Sequence, residues 1–255
     1  MENSSGSAGM EVEQTPPSPG TPTRRLGSLQ RLWAAFLSPR EVFTDIAIKP
    51  TWVLALVLLV ALGVAAQLVV MPHVDTGATL RARLGERAQS LDDQQLERMT
   101  EQAQKFAFVG PIMGVIVGPI VWAAMAAVFF LMLKVSGSDT DYMRALSTTL
   151  HAYWPPALVS TVLTAVLVQR VGRLPAQQLA DVVKSHLGAF LSPDAPAWLR
   201  SAATTISVFN VWTIILLIIG FAVVGRISRG RAAMVVLVPW LVWLVGRAGL
   251  AAVFG

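Results

Sequence analysis

The chain has 255 residues, 54% hydrophobic and 14% charged, where a soluble domain carries roughly 25% charged residues. With a mean hydropathy of +0.59, that balance excludes an ordinary soluble domain, because so few charges cannot cover so much apolar surface, and points to an integral membrane protein. The net charge of +5 need not mean nucleic acid, and none is expected, since cations beside apolar runs set topology and hold anionic lipid, and the lack of cysteine excludes disulfides, thiol catalysis and cysteine metal sites.

Residues 1–25 are Ser, Gly, Pro, Thr and Glu with almost nothing apolar, and are expected to form a disordered tail. Residues 26–50 form an interfacial segment. Leu26, Leu29, Trp33, Phe36 and Leu37 recur at helical spacing, with Arg31 off the stripe. Ser38, Pro39 and Glu41 then supply an N-cap, a first-turn proline and a capping-box acid, and Val42, Phe43 and Ile46 continue an apolar face. The pattern predicts two short amphipathic helices in the headgroup plane, with Arg24, Arg25, Arg31, Arg40 and Lys49 facing an anionic leaflet. Trp33, Phe36 and Arg40 are its expected membrane contacts.

Residues 51–255 read as a five-span membrane domain, because a helix needs roughly 20 apolar residues to cross. The runs lie at about 51–71, 106–133, 154–171, 206–225 and 232–254. The first, which should act as an uncleaved signal-anchor, opens at Trp52, an interface anchor. In the first long linker, Ser90 and Asp93 resemble a capping box for a helix running to Phe106. In the second, Pro175 is expected to open a helix carrying Leu179, Val182, Val183, Leu187 and Phe190, and Ser192-Pro193 a short segment that holds Trp198 at the interface. Ten cations fall on each side of the membrane, so the count is level. The short turn Gly225–Arg231, with three arginines in seven residues, breaks the tie: N-terminus cytoplasmic, C-terminus periplasmic.

Span two carries Gly110, Gly114 and Gly118, a small-residue strip that serves either a dimer face, for a homo- or hetero-oligomer, or packing inside one bundle. In span four, Ser207 and Asn210 share a helix face, and Asn210 reads as an interhelical clamp or as part of a polar path. Span three opens His151-Ala152-Tyr153-Trp154-Pro155-Pro156. Tyr153 and Trp154 suit interface anchors, and the two prolines are expected to break any helix arriving from upstream. No span contains Asp or Glu, which is unusual for a proton-coupled transporter. The three histidines are scattered, no phosphate loop, nucleophile elbow or dinucleotide fingerprint is present, and no cofactor, metal site or enzymatic activity is expected.

Three segments carry a resemblance: "FLSPREVFTDIAIKPTW" before span one, "SGSDTDYMRALSTTLHAYWPPAL" into span three, and "SVFNVWTIILLIIGFAVVGRISRGRAAMVVLVPWLV" across the last hairpin. In order and at this spacing the chain resembles the YIP family (Ypt/Rab-interacting proteins), in particular its bacterial branch, over roughly Leu32 to Phe254. Asn210 and Trp212 sit where bacterial members show an N-x-W-like opening to span four. The resemblance implies a cytoplasmic N-terminus and an all-α bundle of five transmembrane helices. The amphipathic entry, the glycine strip and the lack of catalytic groups, and not the family, give two functions as expectations: a non-enzymatic inner-membrane protein that organises or binds lipids or an unknown protein partner, or a small-solute or ion transporter or channel using a polar path along spans three and four.

Overall fold

The structure, a computed structural model, describes residues 26–192 and 194–254. The tail expected over 1–25, Pro193 and Gly255 lie outside the described residues. Among the described residues there are eleven α-helices and no strand. They are α1 (Ser28–Leu37), α2 (Pro39–Ile48), α3 (Val53–Val70), α4 (Thr76–Leu84), α5 (Asp93–Lys105), α6 (Val109–Val135), α7 (Tyr142–Val168), α8 (Ala176–Ala180), α9 (Ala197–Thr205), α10 (Val208–Val224) and α11 (Arg229–Phe254). By length and composition, α3, α6, α7 and α11 can cross a bilayer. The fifth apolar helix, α10, has 17 residues, about 26 Å at helical rise, the short end of the spanning range. Val57, Ile116, Ile120, Leu131, Val162, Val242 and Val245 all stay exposed, an apolar belt that a soluble fold does not tolerate. The fold is an all-α polytopic membrane bundle.

The bundle is built around α7, which packs on α3, α6 and α10 and carries α1 and α2 against its first half. Every residue from Ala145 to Ala152 is buried. One core joins Val42, Phe43 and Ile46 of α2 to Phe129 and Leu133 of α6, Leu217 and Phe221 of α10, and Val235 and Val236 of α11. A second joins Leu32 of α1, Ala55 and Leu59 of α3, Ala126 of α6, and Leu146 and Leu150 of α7.

Several expectations are corrected. The third apolar helix starts at Tyr142, not near 154, and runs unbroken through Pro155 and Pro156. Its first half is poor in large apolar residues because protein surrounds it, so small and hydroxylic residues that allow close helix approach serve better than lipid-facing ones. The missing proline amides are a small loss in a 27-residue helix held by five neighbours. Ser38 makes no side-chain cap, and serves by its backbone instead, accepting from Glu41 N at 3.1 Å. The capping box of α5 is Asp92 with Gln95, at 2.6 and 3.4 Å, while Ser90 bonds to Arg87 O. The helix opened by Pro175 lasts only five residues, and Leu187 and Phe190 are exposed.

The two long linkers are tied to each other on the face away from α1 and α2. Asp75 N donates to Leu174 O at 2.8 Å and Leu174 N to His73 O at 2.9 Å. Thr79 Oγ1 accepts from Ala176 N at 3.0 Å. Ser185 and Leu187 pair in the same way with Val208 and Ile206 at the start of α10, at 2.9 and 3.0 Å.

Candidate functional site

The candidate site is the platform made by α1 and α2. Leu32 and Ala35 of α1 and Val42, Phe43 and Ile46 of α2 are buried in the bundle cores. The two amphipathic helices expected in this segment are both formed, and their apolar faces seat on α7 and α10. Close approach at α10 depends on Gly220. A Cβ there would lie 2.6 Å from Thr148 Cγ2 and 3.1 Å from Phe43 Cδ1, so only glycine admits both neighbours.

Arg31 rivets the platform. Its side chain is 4% exposed and its Nε donates to Asp45 Oδ2 at 2.6 Å. Its Nη1 donates to Lys49 O at 2.9 Å and to Thr51 Oγ1 at 2.5 Å. One guanidinium thus ties α1, α2 and the entry to α3, where the sequence suggested a contact with lipid. Ser147 Oγ donates to Thr51 O at 2.9 Å, and Arg144 Nε to Ala47 O at 2.7 Å. The platform is fixed to α7 by polar bonds as well as by apolar packing. Sequence reasoning missed Asp45 and Gly220. Arg31 lying off the stripe was the available signal, since a lone cation beside an apolar face needs a partner.

What the platform leaves open is one face of α1: Leu29 is 62%, Trp33 65% and Leu37 90% exposed. Phe36 is half-buried between Trp33 and Trp212, with ring centroids 5.9 and 6.1 Å away. Arg40 is exposed in the first turn of α2. Trp52 is the residue before α3 and Trp198 is exposed near the start of α9, both at helix ends.

Tyr153 and Trp154 are placed differently. Tyr153 meets Trp122 edge-on at 4.9 Å, and Trp122 stands 13 residues from either end of α6. These two aromatics therefore lie at mid-length of the bundle. Trp154 Nε1 is buried with no hydrogen-bond partner among the described residues.

The glycine strip lies against α3 of the same chain. A Cβ on Gly110 would sit 3.1 Å from Gln67 Oε1, on Gly114 3.2 Å from Gln67 Nε2, and on Gly118 3.6 Å from Val60 Cγ2. Ser207 caps α10, accepting from Asn210 N at 3.1 Å. Asn210 Nδ2 donates to Thr205 O at 2.7 Å, closing the α9–α10 turn and not bridging two spans. Among the described residues no group of three or more His, Asp or Glu stands close enough to hold a metal. His73 and His151 each bond a backbone oxygen four residues upstream, and His186 faces Asp181 at 3.1 Å.

Neither the curated proteins nor the solved structures offer a match to this chain. A family model does: that of the Yip1 domain, over residues 33–250. That stretch runs from Trp33 on the platform to the last turns of α11, so the match takes in the seated helices together with all five apolar helices, and the chain belongs to the Yip1 domain family.

Proposed function

We propose that the chain is a non-enzymatic, multi-pass protein of a bacterial inner membrane, with its N-terminus cytoplasmic, that holds membrane lipid and a protein partner on the α1–α2 side of the bundle. The observation that carries this is the platform itself. A stripe of Leu29, Trp33 and Leu37 is kept open on a helix whose other face is fixed by Arg31. A rigid amphipathic helix beside spanning helices suits the headgroup layer, where Trp and Leu enter the lipid and cations meet phosphate. The polar turn between α6 and α7, with Asp139 exposed, stands near the platform and is the surface offered to a protein. Assembly through span two uses the face opposite the glycines, where Ile112, Ile116 and Ile120 are exposed. A solute path gains no support from α10, because Ser207, Asn210 and Thr213 bond to backbone within five residues.

Photo-reactive residues at positions 33 and 139, activated in cells, test the proposal. Position 33 is expected to label phospholipid and position 139 a reproducible protein, identified by mass spectrometry after extraction in native-lipid discs. No protein adduct at 139, together with labelling at 33 confined to solvent products, overturns it.

A further inference from the structure

A cleft runs between α2 and the turn joining α10 to α11, in two compartments of about 850 and 450 Å³ that share Arg40, Thr44, Ile219 and Arg229 in their walls. Its floor is apolar: Ile219, Val223 and Ile227 follow one another at four-residue spacing along α10 and past its end. Arg40 comes from one wall and Arg229 from the other, and neither guanidinium has a hydrogen-bond or ion-pair partner among the described residues. Two acids also reach the rim. Asp45 is already spent on Arg31 at 2.6 Å, which leaves Glu41 as the one acid of the cleft not engaged by a cation. Two free arginines facing each other across an aliphatic floor on a membrane helix call for a ligand with an anionic head and a hydrocarbon tail. A soluble phosphate would leave the floor uncovered, and a purely apolar ligand would leave the arginines unmatched.

We infer that this cleft is a specific site for an anionic phospholipid, its phosphate between Arg40 and Arg229 and an acyl chain along Ile219 and Val223. The inference rests on the membrane placement proposed above and names the lipid class that the platform selects. Basic pockets between spanning helices hold anionic headgroups in this way. The occupied cleft would lock α2 to the α10–α11 turn.

The experiment uses the full-length protein in nanodiscs of equal phosphatidylglycerol and phosphatidylcholine. Lipid retained after mild detergent extraction is read by native mass spectrometry. The wild type is expected to keep phosphatidylglycerol selectively, and Arg40→Gln/Arg229→Gln to lower that selectivity about 10-fold or more, as loss of two basic contacts implies. Arg231→Gln, on the same turn but outside the cleft, should leave it unchanged. Ile219→Trp, which fills the floor without altering charge, should lower the amount of lipid retained. No selectivity in the wild type, or the same selectivity in the double variant, overturns the site. Saturation by glycerophosphate that displaces no lipid also overturns it. If selectivity fails while position 139 still captures its protein, the site falls and the proposed function stands. Loss of that capture together with labelling at 33 confined to solvent products, with selectivity intact, does the reverse.

Discussion

Arg31 and Asp45 form an ion pair that is 4% and 12% exposed on its two side chains. Removing one partner of such a pair strands the other, at a cost of about 3–5 kcal/mol, whereas replacing both with apolar residues is often close to neutral. Arg31→Met is therefore expected to lower thermal stability in detergent sharply, and Arg31→Met/Asp45→Leu to recover much of it. Equal stability of the single variant and the wild type would show that the pair does not hold the platform. Gly220 makes a separate test, because the contact is steric. Gly220→Ala places a methyl 2.6 Å from Thr148 Cγ2 and is expected to cost about 1–3 kcal/mol by overpacking. A melting temperature unchanged within error would contradict so tight a contact. Neither residue was legible as important in the sequence. A glycine in an apolar helix and an aspartate in an amphipathic one acquire their roles only from neighbours far away in the chain.

At the scale of elements, the pairing of α3 with α6 explains why span two is rich in glycine. Gln67 on α3 lies across Gly110 and Gly114, and small residues let the two backbones approach where the hydrophobic effect gives no drive. Gly114→Ala comes close to the flexible end of Gln67, at 3.2 Å, and meets Val64 Cγ2 at an ordinary contact distance of 3.9 Å, so its cost is expected to stay below the usual overpacking penalty, at under about 1 kcal/mol. Gly114→Leu adds a branched side chain that must push α3 away, at about 1–3 kcal/mol. The denaturant midpoint of each variant in micelles, taken with its oligomeric state, checks this. A change in assembly with no change in stability would place the glycines at an intermolecular face. The glycine spacing was plain in the sequence. The partner helix was not, because spacing reveals that something comes close and not what does. The same limit explains α7. Its first half reads as a polar approach to a span, yet it is the best-buried stretch of the fold, since α1, α2, α3 and α10 stand where lipid would otherwise be.

For the whole molecule, five apolar helices place the two termini on opposite sides of the membrane if each one crosses. A chain without cysteine lends itself to a direct topology test. Asp139→Cys is expected to react with an impermeant maleimide only when the cytoplasmic side is open. Ser90→Cys and Gln177→Cys, in the linkers on the opposite face, should react from outside intact spheroplasts. The reverse pattern would invert the orientation and move the lipid cleft to the other leaflet.

The sequence by itself determined that this protein lives in a membrane, that it is helical, which apolar runs form its long helices, and that an amphipathic segment precedes them. Those properties are local sums of side-chain transfer energy and helical period, and need no knowledge of neighbours. Only the tertiary structure decided that Arg31 turns inward to Asp45, that Phe43 seats beside Gly220, that the third apolar helix begins at Tyr142, that the glycine strip meets α3, and that Arg40 and Arg229 face each other across a cleft. All but the helix start join residues distant in the chain, and that start lies in a polar stretch that only burial by neighbours keeps inside the bundle. In a bundle of helices alike in hydropathy, a single sequence carries no term that says which face meets which.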